Sequence, residues 1–300
     1  MTFASDVSLA LPAGDSNGIL HFRLHEAVAA PPGHPHDPVV QEIGDEWTVV
    51  RVYESGEVEI LWRDWLSLRI DPTGRNVSYR VHEDRYPTAF SSYIANFAIS
   101  AALMLQGEEP LHATVVELHG RGIGLLGSSG AGKSTLAAYL LAQGGELVTD
   151  DMLRITESDG RMFAEPGQPR LKLFRETAER FLEGAINQGR WNPVSEKYLF
   201  DTGDPVGHRL RRGLDGLFFL APPQSTEAEH VSVRRLEGLE LFRVVTGSTM
   251  NSKVQTPNRL ARQLAFTQRV AERLPVHVLS YPRRHDVLPE VLEAIRTCLA

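Results

Sequence analysis

Residues 111–155 read "LHATVVELHGRGIGLLGSSGAGKSTLAAYLLAQGGELVTDDMLRI". Within them Gly127 to Ser134, "GSSGAGKS", fits the pattern G-x-x-x-x-G-K-S/T at every position. A phosphate cradle needs that order. Glycines let backbone N–H groups converge on phosphate oxygens, and a helix starting near Lys133 points its positive end at them. Lys133 reaches the outer phosphates, and the Ser134 hydroxyl ligates magnesium. The run Gly127, Ser128, Ser129, Gly130, Ala131, Gly132, Lys133, Ser134 and Thr135 is therefore the expected nucleotide-binding segment. Its context agrees: "GIGLL" reads as a strand before it, and Lys133 to Gln143 as a helix after it, ended by Gly144-Gly145.

Outward from the loop, two features add chemistry. Sixteen residues beyond Ser134 the strand "ELVT" ends in Asp150 and Asp151. One acid beside the metal is expected of any nucleotide hydrolase, and a second leaves a carboxylate to take a proton from a hydroxyl nucleophile. Upstream, "ATVVEL" and "GIGLL" form an antiparallel hairpin if "HGRG" is its turn. Leu118 then faces Ile123, and counting back sets His112 opposite Ser129. From there an imidazole could orient or share a proton with an Asp, or stabilise the entering group.

The flanking sequence sets the fold class. Beyond residue 110, strands "ELVT", "LDGLFFLA", "VSVRRL" and "VHVLSY" alternate with helices, one opening at Thr256-Pro257 and one over Asp286 to Leu299. That is an α/β nucleotide-binding core. Residues 17–85 are β-rich, with hairpins turning at Ser55-Gly56 and at "DPTGRN". From Pro87 to Gly107, Phe90, Tyr93, Ile94, Phe97, Ala101, Met104 and Leu105 recur at helical spacing and read as core packing. The organisation is thus a β-rich domain over 1–86, a linking helix over 87–109 and an ATP-binding core over 110–300. His34 and His36 lie in the Pro-rich stretch "AVAAPPGHPHDP", a surface loop without acidic neighbours at ligand spacing.

Composition narrows the partners. A formal charge of -7 gives no footprint for wrapping nucleic acid, so none is expected. Cys298 is the only cysteine, which excludes an intrachain disulfide and a cysteine-based zinc cluster and points to the cytoplasm. The opening "MTFASDVSLALPAGDS" is not organised as an export signal, and "AFSSYIANFAISAALML" falls short of a membrane span, so no membrane partner is expected.

The spacing of His112, the phosphate loop and the Asp pair resembles the HPr serine kinase/phosphorylase superfamily, whose fold is related to ATP-dependent phosphoenolpyruvate carboxykinases. The resemblance implies a P-loop kinase core binding ATP and Mg2+, with Asp150 as general base, His112 assisting it and Asp151 near the metal. Two departures matter. The region of the bifunctional enzymes' Pro-Gly-Arg-Asn segment reads "VVTGSTMNSK" here, which argues against phosphorylase activity. The β-rich start and "AEPGQPRLKLF" look more like HPr-kinase-related proteins found beside peptide-modification genes, including lasso-peptide kinases that phosphorylate a precursor's C-terminal Ser.

Phosphoryl transfer also needs a cation over the terminal phosphate. Arg170, Lys172, Lys197, Arg209, Arg211 and Arg212 lie in stretches read as irregular, with Arg170 or Lys197 as the candidates and "HRLRR" at 208–212 as a docking patch. The expected activity is transfer of a phosphoryl group from ATP to a Ser of a peptide or small protein, with a homo-oligomer allowed for. The alternatives are a small-molecule hydroxyl as acceptor, or a nucleotide-gated regulator with little turnover.

Overall fold

In a computed structural model of the chain, the residues described are 2–5, 21–26, 37–83, 89–90, 93–168, 170–182, 189–202, 210–222 and 229–300. His34, His36, His208 and Arg209 lie outside them. The chain divides into two compact units, Met1–Pro110 with Met250–Gln263, and Leu111–Thr249 with Leu264–Ala300.

In the first unit, strong alternation makes strands: Val58, Ile60 and Trp62, then Leu66, Leu68 and Ile70, are buried at every second position. Its strands are β1 (Thr2–Ser5), β2 (His21–Glu26), β3 (Val39–Gly44), β4 (Thr48–Tyr53), β5 (Val58–Trp62), β6 (Leu66–Ile70) and β7 (Asn76–Val81). They form one sheet in the order β1-β2-β7-β6-β5-β4-β3, and both expected hairpins, β4–β5 and β6–β7, are present. The expected helix is present in part, with a correction. Ile94–Ala98 is a π-helical turn, followed by α1 (Ile99–Leu105). Tyr93 and Phe97 both pack edge-on against Trp62, at 5.7 and 5.0 Å. The aromatic stripe is packing, as its spacing implies.

The second unit is built on a six-stranded sheet in the order β10-β8-β9-β17-β19-β18. Its strands are β8 (Ala113–Leu118), β9 (Arg121–Leu126), β10 (Glu146–Thr149), β17 (Gly216–Leu220), β18 (Ser232–Arg235) and β19 (Val276–Ser280). A hairpin joins β8 to β9, but its register differs from the one expected: Leu118 pairs with Arg121 and Val116 with Ile123. The turn has only two residues, His119 and Gly120, at φ 52° and 76°, where a right-twisted hairpin needs left-handed backbone. The slip of two keeps every side chain on its face and sets His112 opposite Gly127 rather than Ser129 when counted back. β9 runs parallel to β17, and β17 to β19, so the phosphate loop leaves at the carboxyl ends of parallel strands.

Between β10 and β17 the sequence reading left irregular chain, whereas the structure has strands. They are β11 (Ile155–Ser158), β12 (Arg161–Ala164), β13 (Arg170–Leu173), β14 (Arg190–Asn192), β15 (Lys197–Asp201) and β16 (Arg212–Gly213). β13, β15 and β14 make a separate antiparallel sheet. Strands of two to five residues give too short a pattern to read. The helices are α2 (Lys133–Ala142), α3 (Arg175–Phe181), α4 (Gly238–Gly247), α5 (Pro257–Arg273) and α6 (Leu288–Leu299). α5 starts where expected, with the Arg259 N–H donating to Thr256 Oγ1 at 3.3 Å. Among the described residues no helix is long and apolar enough to cross a membrane.

Candidate active site

The phosphate loop takes backbone that only glycine adopts cheaply, with Gly127, Gly130 and Gly132 at φ 143°, 81° and 94°. Gly132 leads into α2 with no side-chain cap, so the helix presents its first N–H groups to the loop. Lys133 is buried, and its Nζ donates to Gly127 O at 2.7 Å and Ser128 O at 3.1 Å. Burial holds the ammonium below its ordinary range against the pull of Asp151 and Asp150, and Lys197 adds repulsion.

A cleft of about 110 Å³ opens beside the loop. Its walls include His112, Ser129 to Thr135, Asp151, Lys172, Phe174 and Lys197. Sequence-distant groups thus meet, but the two acids sit differently. Asp151 lines the cleft, whereas Asp150 lies behind it, 9% exposed. The turn after β10 divides them: Met152 N–H donates to Asp150 O at 2.9 Å, and Asp151, between them, is at φ 67°. A three-residue turn of that hand is rare and strained.

Asp150 is held at both oxygens. The Thr114 hydroxyl donates to Oδ1 at 2.7 Å, and the Lys172 backbone N–H donates to Oδ2 at 3.2 Å. Burial, then the Asp151 charge, push its carboxyl up to about 6, against the Thr114 hydrogen bond. Asp151 is ion-paired with the Lys172 ammonium, and His112 Nε2 stands 4.0 Å from Asp151 Oδ1. Burial and the nearby Lys133 charge bring His112 down to about 4, so the imidazole is neutral at pH 7. The His112 side chain, in the cleft wall, is 39% exposed.

The basic candidates separate cleanly. Lys172 on β13 and Lys197 on β15 line the cleft. Arg170 is buried beside them and donates to Gln168 Oε1. Arg211 covers the Phe163 ring at 4.3 Å, while Arg212 bridges Glu117 and Glu146 at 3.0 Å each, two acids that face each other on β8 and β10. Those two are the arginines of the 208–212 stretch that lie among the described residues.

Sequence reasoning missed Thr114 and Gly167. Thr114 was findable, because it stands two residues after His112, near the start of β8, where alternation returns the chain to one face. Gly167 was not. A Cβ there would stand 2.0 Å from Thr149 Oγ1, so only glycine lets this stretch lie on β10, a proximity visible only in the fold.

The site suits a nucleoside triphosphate with a divalent cation. Glycine backbone, free helix N–H groups and clustered ammonium groups match phosphate oxygens. Among the described residues no cluster of three or more His, Cys, Asp or Glu could hold a metal by itself. A cation at Ser134 and Asp151 would therefore complete its shell with phosphate oxygens and water, as magnesium does.

Residues 104–176 match the family described as HPr Serine kinase C-terminal domain. The HPr kinase/phosphorylase of Clostridium botulinum (strain Eklund 17B / Type B) is 37% identical over 78 residues, 26% of this chain and 26% of that protein. That of Clostridium beijerinckii is 39% identical over 72 residues, 24% of each. The chain thus spans about a quarter of the length of the curated relatives it matches. Among solved structures, the Hpr(Ser) kinase/phosphatase from Coxiella burnetii aligns with a TM-score of 0.35 at 12% identity, covering 63% of this chain and 95% of that one.

Proposed function

We propose, on the match of residues 104–176 to the HPr Serine kinase C-terminal domain, that the chain is an ATP-dependent kinase that phosphorylates a hydroxyl, a Ser of a peptide or small protein. The observation that carries this reading is the convergence of Lys133, His112 and Asp151 on one cleft, with a buried, proton-hungry Asp150 behind it.

The loop N–H groups and Lys133 would hold the phosphates of ATP, and Ser134 and Asp151 would hold Mg2+, which would offset the phosphate charge. The acceptor hydroxyl forms a bond to the terminal phosphorus as the bond to the departing ADP oxygen breaks. Its proton passes to Asp150, whose carboxyl near 6 suits a base at neutral pH. Neutral His112 donates its one ring N–H to the entering oxygen and orients it, which leaves the hydroxyl proton for Asp150.

One observation favours exchanging the acids: Asp151, not Asp150, is in the cleft wall next to His112. Magnesium titrations of Asp150→Asn and Asp151→Asn separate the two. If Asp150 is the base, D150N leaves the magnesium requirement unchanged while D151N raises it severalfold. The opposite pattern exchanges the roles. The reading as a whole is tested by incubating the protein with MgATP and Ser-containing peptides, then small hydroxyl metabolites, and looking for a mass gain of one phosphate. Gain on metabolites alone moves the acceptor class. Tight ATP binding with no product on any acceptor points instead to a regulator.

A further inference from the structure

The cleft wall is unbalanced in charge. Lys133, Lys172 and Lys197 line it, with Asp151 as the one carboxylate among its lining residues. Lys172 is engaged by Asp151, and Lys133 donates to two loop carbonyls. Lys197 differs. Its Nζ lies 5.0 Å from the centre of the Phe174 ring, and among the described residues it has no carboxylate partner.

The β13–β15 register explains why it is there. Lys172 pairs with Leu199, so Lys197, two residues along, shares the Lys172 face of the sheet, and Phe174 falls opposite it just past the end of β13. The ring steadies the ammonium by cation–π attraction and leaves its N–H donors to another acceptor. Like charges gathered here repel: Lys197 helps push both Lys133 and His112 toward their neutral forms. A polyanion in the cleft removes that repulsion.

We infer that Lys197, propped on Phe174, is the cation that binds the terminal phosphate of the nucleotide and makes the site prefer ATP to ADP. This rests on the nucleotide-binding reading above. The loop amides hold phosphates that both nucleotides carry and Lys133 reaches the second as well as the third, whereas Lys197, on a separate sheet, is assigned to the third alone.

Calorimetric titration with MgATP and with MgADP tests it without any acceptor. The wild type binds ATP more tightly than ADP. Lys197→Met, with Lys197→Gln as a polar counterpart in case either folds poorly, weakens ATP binding by about 10–100-fold, the worth of one charge-assisted hydrogen bond, and changes ADP binding by less than about twofold. Lys197→Arg retains most of the preference, and Phe174→Leu loses a smaller part of it, again for ATP alone. Equal loss for both nucleotides, or no loss for either, overturns the assignment. Failure of the wild type to bind either nucleotide refutes the underlying reading instead.

Discussion

Arg259 and Asp150 are both withdrawn from water, yet their surroundings differ in kind. Arg259, 1% exposed, has every group answered: Nε and Nη2 donate to Glu109 Oε2 at 3.2 Å, Nη1 to Val254 O at 2.8 Å and to Asn251 O, and Nη2 also to Met250 O at 2.5 Å. Burial lowers its affinity for the proton and raises that of Glu109, whose Oε1 lies 3.6 Å from Arg262 Nε, so the acid sits between two guanidinium groups. Asp150 is also hydrogen-bonded, yet it sits against a like charge, Asp151, and behind cations that have more positive charge than the cleft balances. A buried charge that is fully answered is architecture. One whose neighbourhood stays unbalanced is waiting for a ligand, and that difference separates the two regions better than burial does.

The largest effect that would break this contrast is at Asp150. Asp150→Asn should cut phosphoryl transfer by ~10²–10⁴-fold while raising stability at alkaline pH. The sign follows from linkage. The folded-state carboxyl titrates near 6, above its unfolded value, so native and unfolded forms are both protonated below about pH 4 and no penalty exists there. The penalty grows as pH rises through 6 and is complete above it, amounting to roughly 3 kcal/mol. Denaturant melts of wild type and variant, with magnesium chelated, should therefore diverge at pH 8 and converge at pH 4. Equal midpoints at both pH values would mean that Asp150 pays nothing for its position.

Arg259→Met should do the reverse, costing stability at every pH. Removing Arg259 leaves buried Glu109 with Arg262 alone, 3.6 Å away, a loss of about 3–5 kcal/mol in urea unfolding. Adding Glu109→Leu should return much of it, because a matched apolar pair also fills buried space. A single variant no less stable than the double would show that Arg262 alone satisfies Glu109.

Legibility follows the same division. The loop, the acid pair and the alternation that makes β4 to β7 were written in local patterns: a fixed spacing, a strand end, a period of two. The hairpin around His119 was read in kind but two residues out of register, because "HGRG" offers both a two-residue and a four-residue turn, and only pairing across β8 and β9 decides. β13 to β15 were missed since their strands have three to five residues, and with them the placing of Lys172 and Lys197 on one face. That Asp150 stands behind Asp151 depends on one left-handed residue, which no spacing announces.

A smaller effect tests how tightly the cleft is tied to the strand that carries the acids. Gly167 donates its N–H to Val148 O at 2.9 Å, and a methyl there would overlap the Thr149 side chain. Gly167→Ala should cost about 1–3 kcal/mol as the stretch lifts away from β10. Because β13 follows directly, Lys172 should shift as well, and transfer should fall more than the midpoint alone explains. A variant with unchanged stability and transfer would show that this approach is incidental.

The smallest effect isolates the turn itself. Asp151→Ala and Asp151→Gly both take the carboxylate from Lys172, so the difference between them reports only the backbone. At ordinary positions alanine is the more stable of the two by about 0.4–1 kcal/mol, because glycine has more freedom to lose. At φ 67° the order should invert, since the alanine Cβ crowds its own carbonyl there, leaving the Gly variant ahead by about 1 kcal/mol in unfolding free energy. Alanine ahead would mean that the turn relaxes without its aspartate, and that the ion pair with Lys172 imposes the strain. Glycine ahead places the strain in the chain path from β10, with the side chain carried into the cleft by it.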